Sequence, residues 1–162
     1  MKEILEENLQ ALYRLKEQSV LRFFAKKDLH KLLRFSKIHR YAPGELIVAE
    51  GTFDNRMYVL MEGEVKVVKG GAVIDTLRRT GDIFGEMGVV DGEPRSASVY
   101  AVGEATCLVV DVSFIDGLQG EDKTAFAAVF YQIVAETLAK RLRETSAELV
   151  RLKEKLAALE GN

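Results

Sequence analysis

The sequence predicts an α+β fold: an antiparallel β-roll or jelly-roll barrel, with helices before it and one long helix after it. Two observations carry this. Both prolines and most of the 13 glycines fall between Pro43 and Val112, where they punctuate short β-prone runs. Outside that zone, leucines recur at helical spacing and proline is absent. The chain has 162 residues, 48% apolar and 30% charged, which is globular composition. A chain this long buries roughly 70% of its unfolded surface, enough for a core without staples.

Taken in order, Leu5, Leu9 and Leu12 make an amphipathic helix within residues 1–20. A second helix is expected from Lys27–Asp28, carrying Leu29, Leu32 and Leu33. The β-roll domain is assigned to residues 21–121. Its strands are read at Leu46–Ala49, Met57–Leu60, Val65–Val68, Val73–Leu77, Ser98–Val102 and Thr106–Val112, with turn signals between them. Gly70–Gly71 is the best hairpin turn, because glycine tolerates the positive φ such turns demand. Residues 122–162 form the last helix, with Asp122 as its expected cap.

Several function classes are excluded early. Lys plus Arg is 23 and Asp plus Glu is 25, a net charge of −2, which argues against a general nucleic-acid or anionic-membrane binder. One cysteine, Cys107, permits no intrachain disulfide and no cysteine-rich zinc site. The two histidines, His30 and His39, are not spaced as ligands on one face and read as surface or satisfied core residues. No metal or other cofactor is expected. Met1–Asn8 has neither an apolar core nor a cleavage site, and the longest apolar stretch, Ala125–Ala135, is interrupted by Gln132 and too short to span a bilayer. The expectation is a cytoplasmic protein without membrane contact.

The last helix is far longer than one small barrel needs. Leu138, Leu142, Thr145, Leu149, Leu152, Leu156 and Leu159 step by four and three in strict alternation, a heptad seam. In a parallel homodimer Glu148 would face Lys153 and Lys155 would face Glu160, both pairs of opposite sign. Such exposed pairs contribute about 0.3–0.5 kcal/mol each, so they select orientation. The alternatives are a monomer with the helix folded back, or packing on the amino-terminal helix of its own or the partner chain. Thr145 is the one polar residue of the seam.

The segment Phe84–Ala101 reads F-G-E-M-G-V-V-D-G-E-P-R-S-A-S-V-Y-A. It resembles the phosphate-binding cassette of cyclic nucleotide-binding domains: F-G-E, a small apolar turn, a variable loop, then P-R, a small residue, A, a hydroxyl residue and V. G-E-L-I-V-A-E-G from Gly44 and Y-V-L-M-E-G-E-V-K-V from Tyr58 are similar to that family's first strands. The resemblance covers roughly Leu21 to Leu149. It implies a ligand-binding group of Phe84, Gly85, Glu86, Met87, Arg95, Ser96 and Ala97. Glu86 would accept a hydrogen bond from the ribose 2′-hydroxyl, and a charged acceptor makes that bond stronger. Arg95 offers a permanently charged fork to the phosphate. Ser96 would donate its hydroxyl or backbone N–H, Pro94 would set the backbone entering Arg95, and Gly85 would permit close backbone approach. The turn after Gly85 would aim free N–H groups at the anion.

The competing reading is an internal Glu86–Arg95 ion pair bracing a loop. The cassette carries three acids (Glu86, Asp91, Glu93) against one base, so it is no long-range funnel for anions. Gly88 stands where the family more often has alanine, which is expected to loosen the turn. Lys140–Val150 resembles the corresponding helix of the bacterial catabolite activator protein family, where a Thr-Ser pair meets the adenine and the serine comes from the other subunit. Thr145 and Ser146 fall on that pair. The default for such hydroxyls is solvent exposure or a bond to the preceding turn.

The resulting expectation is a stand-alone cyclic nucleotide sensor, not an enzyme. It would dimerise through its last helix, take 3′,5′-cyclic AMP, and act on a protein partner that the sequence does not name. Ser96 and Ser98 leave cyclic GMP open. Ligand would order Phe84–Ser96, repack residues near Phe114, Ile115 and Leu118, and shift the long helix. The alternatives are a dimerisation scaffold with a vestigial site, and a transcription regulator cut short of a helix-turn-helix, since the chain leaves no room for one after Asn162. A cupin-like enzyme needs clustered ligands, and Pro43–Val112 has no histidine.

Overall fold

The structure, a computed structural model, describes residues 2–162, without the side chains of residues 2–5, Gln18 and Val20. The contribution expected of the Leu5 side chain therefore lies outside the described residues. Helix α1 (Lys2–Gln18) and α2 (Lys26–Arg34) flank a 3₁₀ turn at Val20–Phe23. Ser19 caps that turn, its hydroxyl accepting the Leu21 N–H at 3.2 Å. Leu12, Leu29 and Leu32 are buried, as the spacing requires. His30 is a surface residue hydrogen-bonded to the Tyr13 hydroxyl at 3.1 Å.

Eight antiparallel strands follow: β1 (Ser36–Tyr41), β2 (Leu46–Val48), β3 (Arg56–Glu62), β4 (Val65–Lys69), β5 (Ala72–Leu77), β6 (Ile83–Phe84), β7 (Ser98–Ala101) and β8 (Ala105–Asp111). One sheet has the order β1-β8-β3-β6, the other β2-β7-β4-β5. The expected α+β fold, a β-roll with helices before it and a long helix after it, is what the chain adopts. Two strands escaped the sequence reading. β1 is S-K-I-H-R-Y, largely polar because much of it stays exposed, so its alternation is hidden. β6 is two residues long, below any periodic signal. At the Gly70–Gly71 turn both residues have positive φ, 55° and 82°, the pattern of a type I′ hairpin.

The strands separate two cores, and alternation along β3 shows how. Met57 and Val59 face a core shared with Leu12, Leu29, Phe126 and Phe130 of the helices. Tyr58 and Leu60 point the other way, into the roll with Val65, Leu77, Val99 and Cys107.

Helix α3 (Glu86–Asp91) sits in the loop between β6 and β7, and α4 (Gly120–Glu160) closes the chain after a 3₁₀ turn at Val112–Gly117. Gln119, not Asp122, occupies the cap position of α4. Asp122 lies in the first turn instead, where its carboxylate suits the helix dipole and pairs with Lys31 at 3.1 Å. Phe126, Phe130, Ile133 and Val134 anchor the first half of α4 in the helix-side core, each contributing about 1.5–3 kcal/mol by burial. Leu138 is half-buried against that core, but from Leu142, 68% exposed, to Leu159, 75% exposed, the leucine seam faces solvent in this single chain.

Candidate functional site

The site is built where β6 turns into α3. Phe84 pairs with Tyr58 across the sheet, and the two rings stack at 4.9 Å with 4° between their planes. Gly85 then takes φ +80°. A Cβ there would lie 2.8 Å from Arg95 Nη1, 3.1 Å from the Arg56 carbonyl oxygen and 3.2 Å from the Tyr58 ring. Both the conformation and the crowding therefore demand glycine. Helix α3 begins at once with Glu86, and Gly92 ends it in a left-handed cap. Gly88 sits inside a closed helical turn, and a Cβ there would come within 3.2 Å of the Glu93 carbonyl oxygen. The absent methyl thus makes room for the returning loop.

Arg95 is buried, 4% exposed. Its backbone laces to the loop after β2: the Arg95 N–H donates to Thr52 and the Gly51 N–H to Arg95, both at 2.8 Å. Its guanidinium donates through Nη1 to the Gly85 carbonyl at 2.6 Å and through Nη2 to the Arg56 carbonyl at 2.5 Å, with Asp54 at 3.6 Å. Nε is buried without a partner. Burial pushes Asp54 upwards, but hydrogen bonds from Arg56 and the charges of Arg56 and Arg95 outweigh it, so its carboxyl stays below the ordinary aspartate value.

Glu86 is wholly buried. Its Oε1 pairs with Arg141 of α4, which also donates to the Ile83 carbonyl. Its Oε2 has no partner. So each charge is paired, but not with the other: the internal Glu86–Arg95 brace is not what forms. The cassette thus holds one buried acceptor, Glu86 Oε2, and one buried donor, Arg95 Nε, without hydrogen-bond partners among the described residues.

Residues 38–121, more than half of the chain, match the family model of the cyclic nucleotide-binding domain. The chain belongs to this family. The match spans the β-roll and the β6–α3–β7 cassette. Among curated proteins, the cGMP-dependent protein kinase of Plasmodium berghei is 34% identical over 108 residues, 65% of this chain and 12% of that kinase. The chain therefore spans a small fraction of that relative. A solved cyclic nucleotide-binding domain from Methylobacillus flagellatus superposes with a TM-score of 0.75 at 21% identity, covering 92% of this chain and 84% of that one. The catabolite activator protein of Thermus thermophilus superposes with a TM-score of 0.58 at 26% identity, covering 83% and 62%.

The structure brings Phe84, Gly85, Glu86, Met87, Arg95, Ser96 and Ala97 into one region. Met87 and Ser96 are exposed and touch each other, the Ser96 hydroxyl lying 3.9 Å from the Met87 sulfur. Thr145 and Ser146 lie on the exposed part of α4, one turn beyond Arg141. They take no part in the side-chain hydrogen bonds among the described residues. The Ser98 hydroxyl accepts the Glu50 N–H at 2.9 Å, so it braces the loop after β2. Lys69, on β4, donates to the Ser96 carbonyl at 2.6 Å and lies 3.7 Å from Glu50.

Sequence reasoning missed Arg141, Asp54 and Lys69. The partner of Glu86 is 55 positions away, so only the need of a buried carboxylate for a cation could have pointed to an arginine on the last helix. Beside that pair, a cleft of about 460 Å³ opens between β5 and α4, lined by Asp75, Leu77, Ile83, Lys140 and Glu144. Among the described residues no cluster of three potential metal ligands occurs, and no helix is long and apolar enough to cross a membrane.

Proposed function

We propose that the chain is a regulatory sensor that binds a 3′,5′-cyclic nucleotide, cyclic AMP in the first place, and signals through α4 to a protein partner. The observation that carries this reading is the pair of buried unpartnered atoms, Glu86 Oε2 and Arg95 Nε, in one glycine-turned cassette. The ribose 2′-hydroxyl donates to Glu86. The phosphate competes with Asp54 for Arg95 and adds the Ser96 hydroxyl and Ala97 N–H. Binding at Glu86 reaches Arg141 directly, so the state of the cassette is felt by α4. A hundredfold preference of ligand for one helix position supplies about 2.7 kcal/mol of bias.

The second part of the proposal is a parallel homodimer through the leucine seam. Leu142, Leu149, Leu152 and Leu156 are each more than half exposed in the single chain, and a partner seam would cover them. In that dimer Thr145 and the partner's serine would lie over the base, with a cytoplasmic location as part of the reading. Cyclic GMP remains the rival ligand, since the kinase relative is named for it.

Isothermal titration with cyclic AMP and cyclic GMP is the test. Saturable heat with cyclic AMP is expected, and Arg95→Ala should weaken it a hundredfold or more, about 2.7 kcal/mol. Silence with both nucleotides, for protein that melts cooperatively, overturns the ligand claim. One observation favours a second reading, a dimerisation scaffold with a vestigial site: two carbonyls and Asp54 already engage the Arg95 guanidinium. That reading predicts dimers whose melting temperature no nucleotide moves.

A further inference from the structure

A separate cleft opens on the side of the roll where both sheets end. β1 and β2 are the outer strands of their sheets on this side, and the cleft between them measures about 920 Å³. That is within the range of small-molecule sites. Its apolar wall is aromatic: Phe35 stacks on Phe114 at 4.5 Å with 1° between the planes. Phe35 remains 45% exposed and Leu46 46% exposed, both on the cleft. Large half-exposed apolar residues gathered in one concave place mark a binding surface.

The charge around this wall is one-sided. Arg34 and Lys37 line it, both exposed, and neither is in an ion pair among the described residues. Arg56 also lines it but is committed to Asp54 at 2.7 Å. The acid on the cleft is Asp111, whose Oδ1 is occupied by the Ser113 N–H at 3.0 Å and the Ser113 hydroxyl. Two free cations beside an aromatic wall suit a molecule with one negative group and an apolar body.

We infer that this cleft is a second ligand site, which takes a small amphiphilic anion: an aromatic or acyl body carrying one carboxylate or sulfonate. The inference is independent of the nucleotide reading, which concerns the cassette. The site also abuts the connector to the last helix, because Phe114 meets Phe126 of α4 edge-on at 5.2 Å. An occupant is thereby placed to bias the same helix from the opposite end.

The test uses 8-anilinonaphthalene-1-sulfonate, followed by its fluorescence on the full chain, with N-phenyl-1-naphthylamine as the uncharged analogue. Saturable binding of one sulfonate per chain is expected. The doubly reversed variant Arg34→Glu/Lys37→Glu should bind it at least tenfold more weakly with an unchanged melting temperature. Leu46→Asp should weaken it similarly, and the uncharged analogue should bind tenfold more weakly to the native chain. Leu152→Lys/Leu156→Lys, on the exposed helix seam, should leave the titration unchanged. Absence of saturable binding overturns the site. So does equal affinity in both cleft variants, or loss of the signal in the seam variant. Equal affinity for the uncharged analogue overturns its anionic preference.

Discussion

Arg95 illustrates how a candidate binding residue is held by its surroundings. Its guanidinium spans two backbone carbonyls, and Gly85 leaves space for it. Gly85→Ala should therefore destabilise the fold by more than the ~1–2 kcal/mol of left-handed strain alone, read as a drop in melting temperature. Gly88→Ala, at an ordinary helical φ with one 3.2 Å contact, should cost less. Asp54 makes a pH prediction. Its carboxyl is depressed in the folded chain, so its stabilisation is complete above the unfolded value of about 4 and is lost as pH falls through the lower folded value. Asp54→Asn should flatten the acid limb of the stability profile below about pH 4, measured by denaturation at a series of pH values. Cys107 is fully buried, and burial pushes its thiol up to about 12. It should resist iodoacetamide at pH ~8 in the native chain and react promptly in denaturant.

At the scale of elements, the sequence was informative where a pattern repeats or a backbone conformation is forced. The Gly70–Gly71 turn, six of the eight strands and the last helix all rest on such signals. β1 and β6 were illegible because one is mostly polar and the other too short to alternate. The cassette was legible as a motif, whereas its partners were not: Asp54 and Arg141 reach it only through the tertiary fold, and nothing local distinguishes them. The seam of α4 was legible as a heptad, and its leucines from Leu142 onwards are exposed in the single chain. Leu152→Lys/Leu156→Lys should leave chain stability within about 0.5 kcal/mol, as exposed substitutions do. The same change should convert the proposed dimer to monomer in sedimentation equilibrium, and a dimer that persists excludes the seam as its interface. Thr145→Leu should tighten association while weakening cyclic AMP, if the hydroxyl serves the base.

For the whole molecule, the sheet β1-β8-β3-β6 is common to both cores. A change inside the roll at Tyr58 is therefore one residue away from Met57 and Val59, and one at Phe84 is one residue away from Ile83, all three of which face the helices. The ion pair between buried Glu86 and part-exposed Arg141 adds a second, electrostatic link from the cassette to α4. Arg141→Met should leave Glu86 as an uncompensated buried charge and cost about 3–5 kcal/mol. The double variant Glu86→Gln/Arg141→Met should recover part of this, and thermal melts of the four proteins measure the coupling. The composition supported a single domain with a real core, but two cores on opposite faces of one sheet emerge only once the strand order is known.

The last helix is gripped along one half and unsupported along the other. Beyond Arg141 about 19 residues project, an arm of roughly 28 Å at ~1.5 Å per residue. A pivot of about 10° at the gripped end sweeps the tip through some ~5 Å, one full helical turn's rise. In the proposed sensor, a small adjustment at the cassette would thus become, through leverage alone, a displacement large enough for another protein to notice.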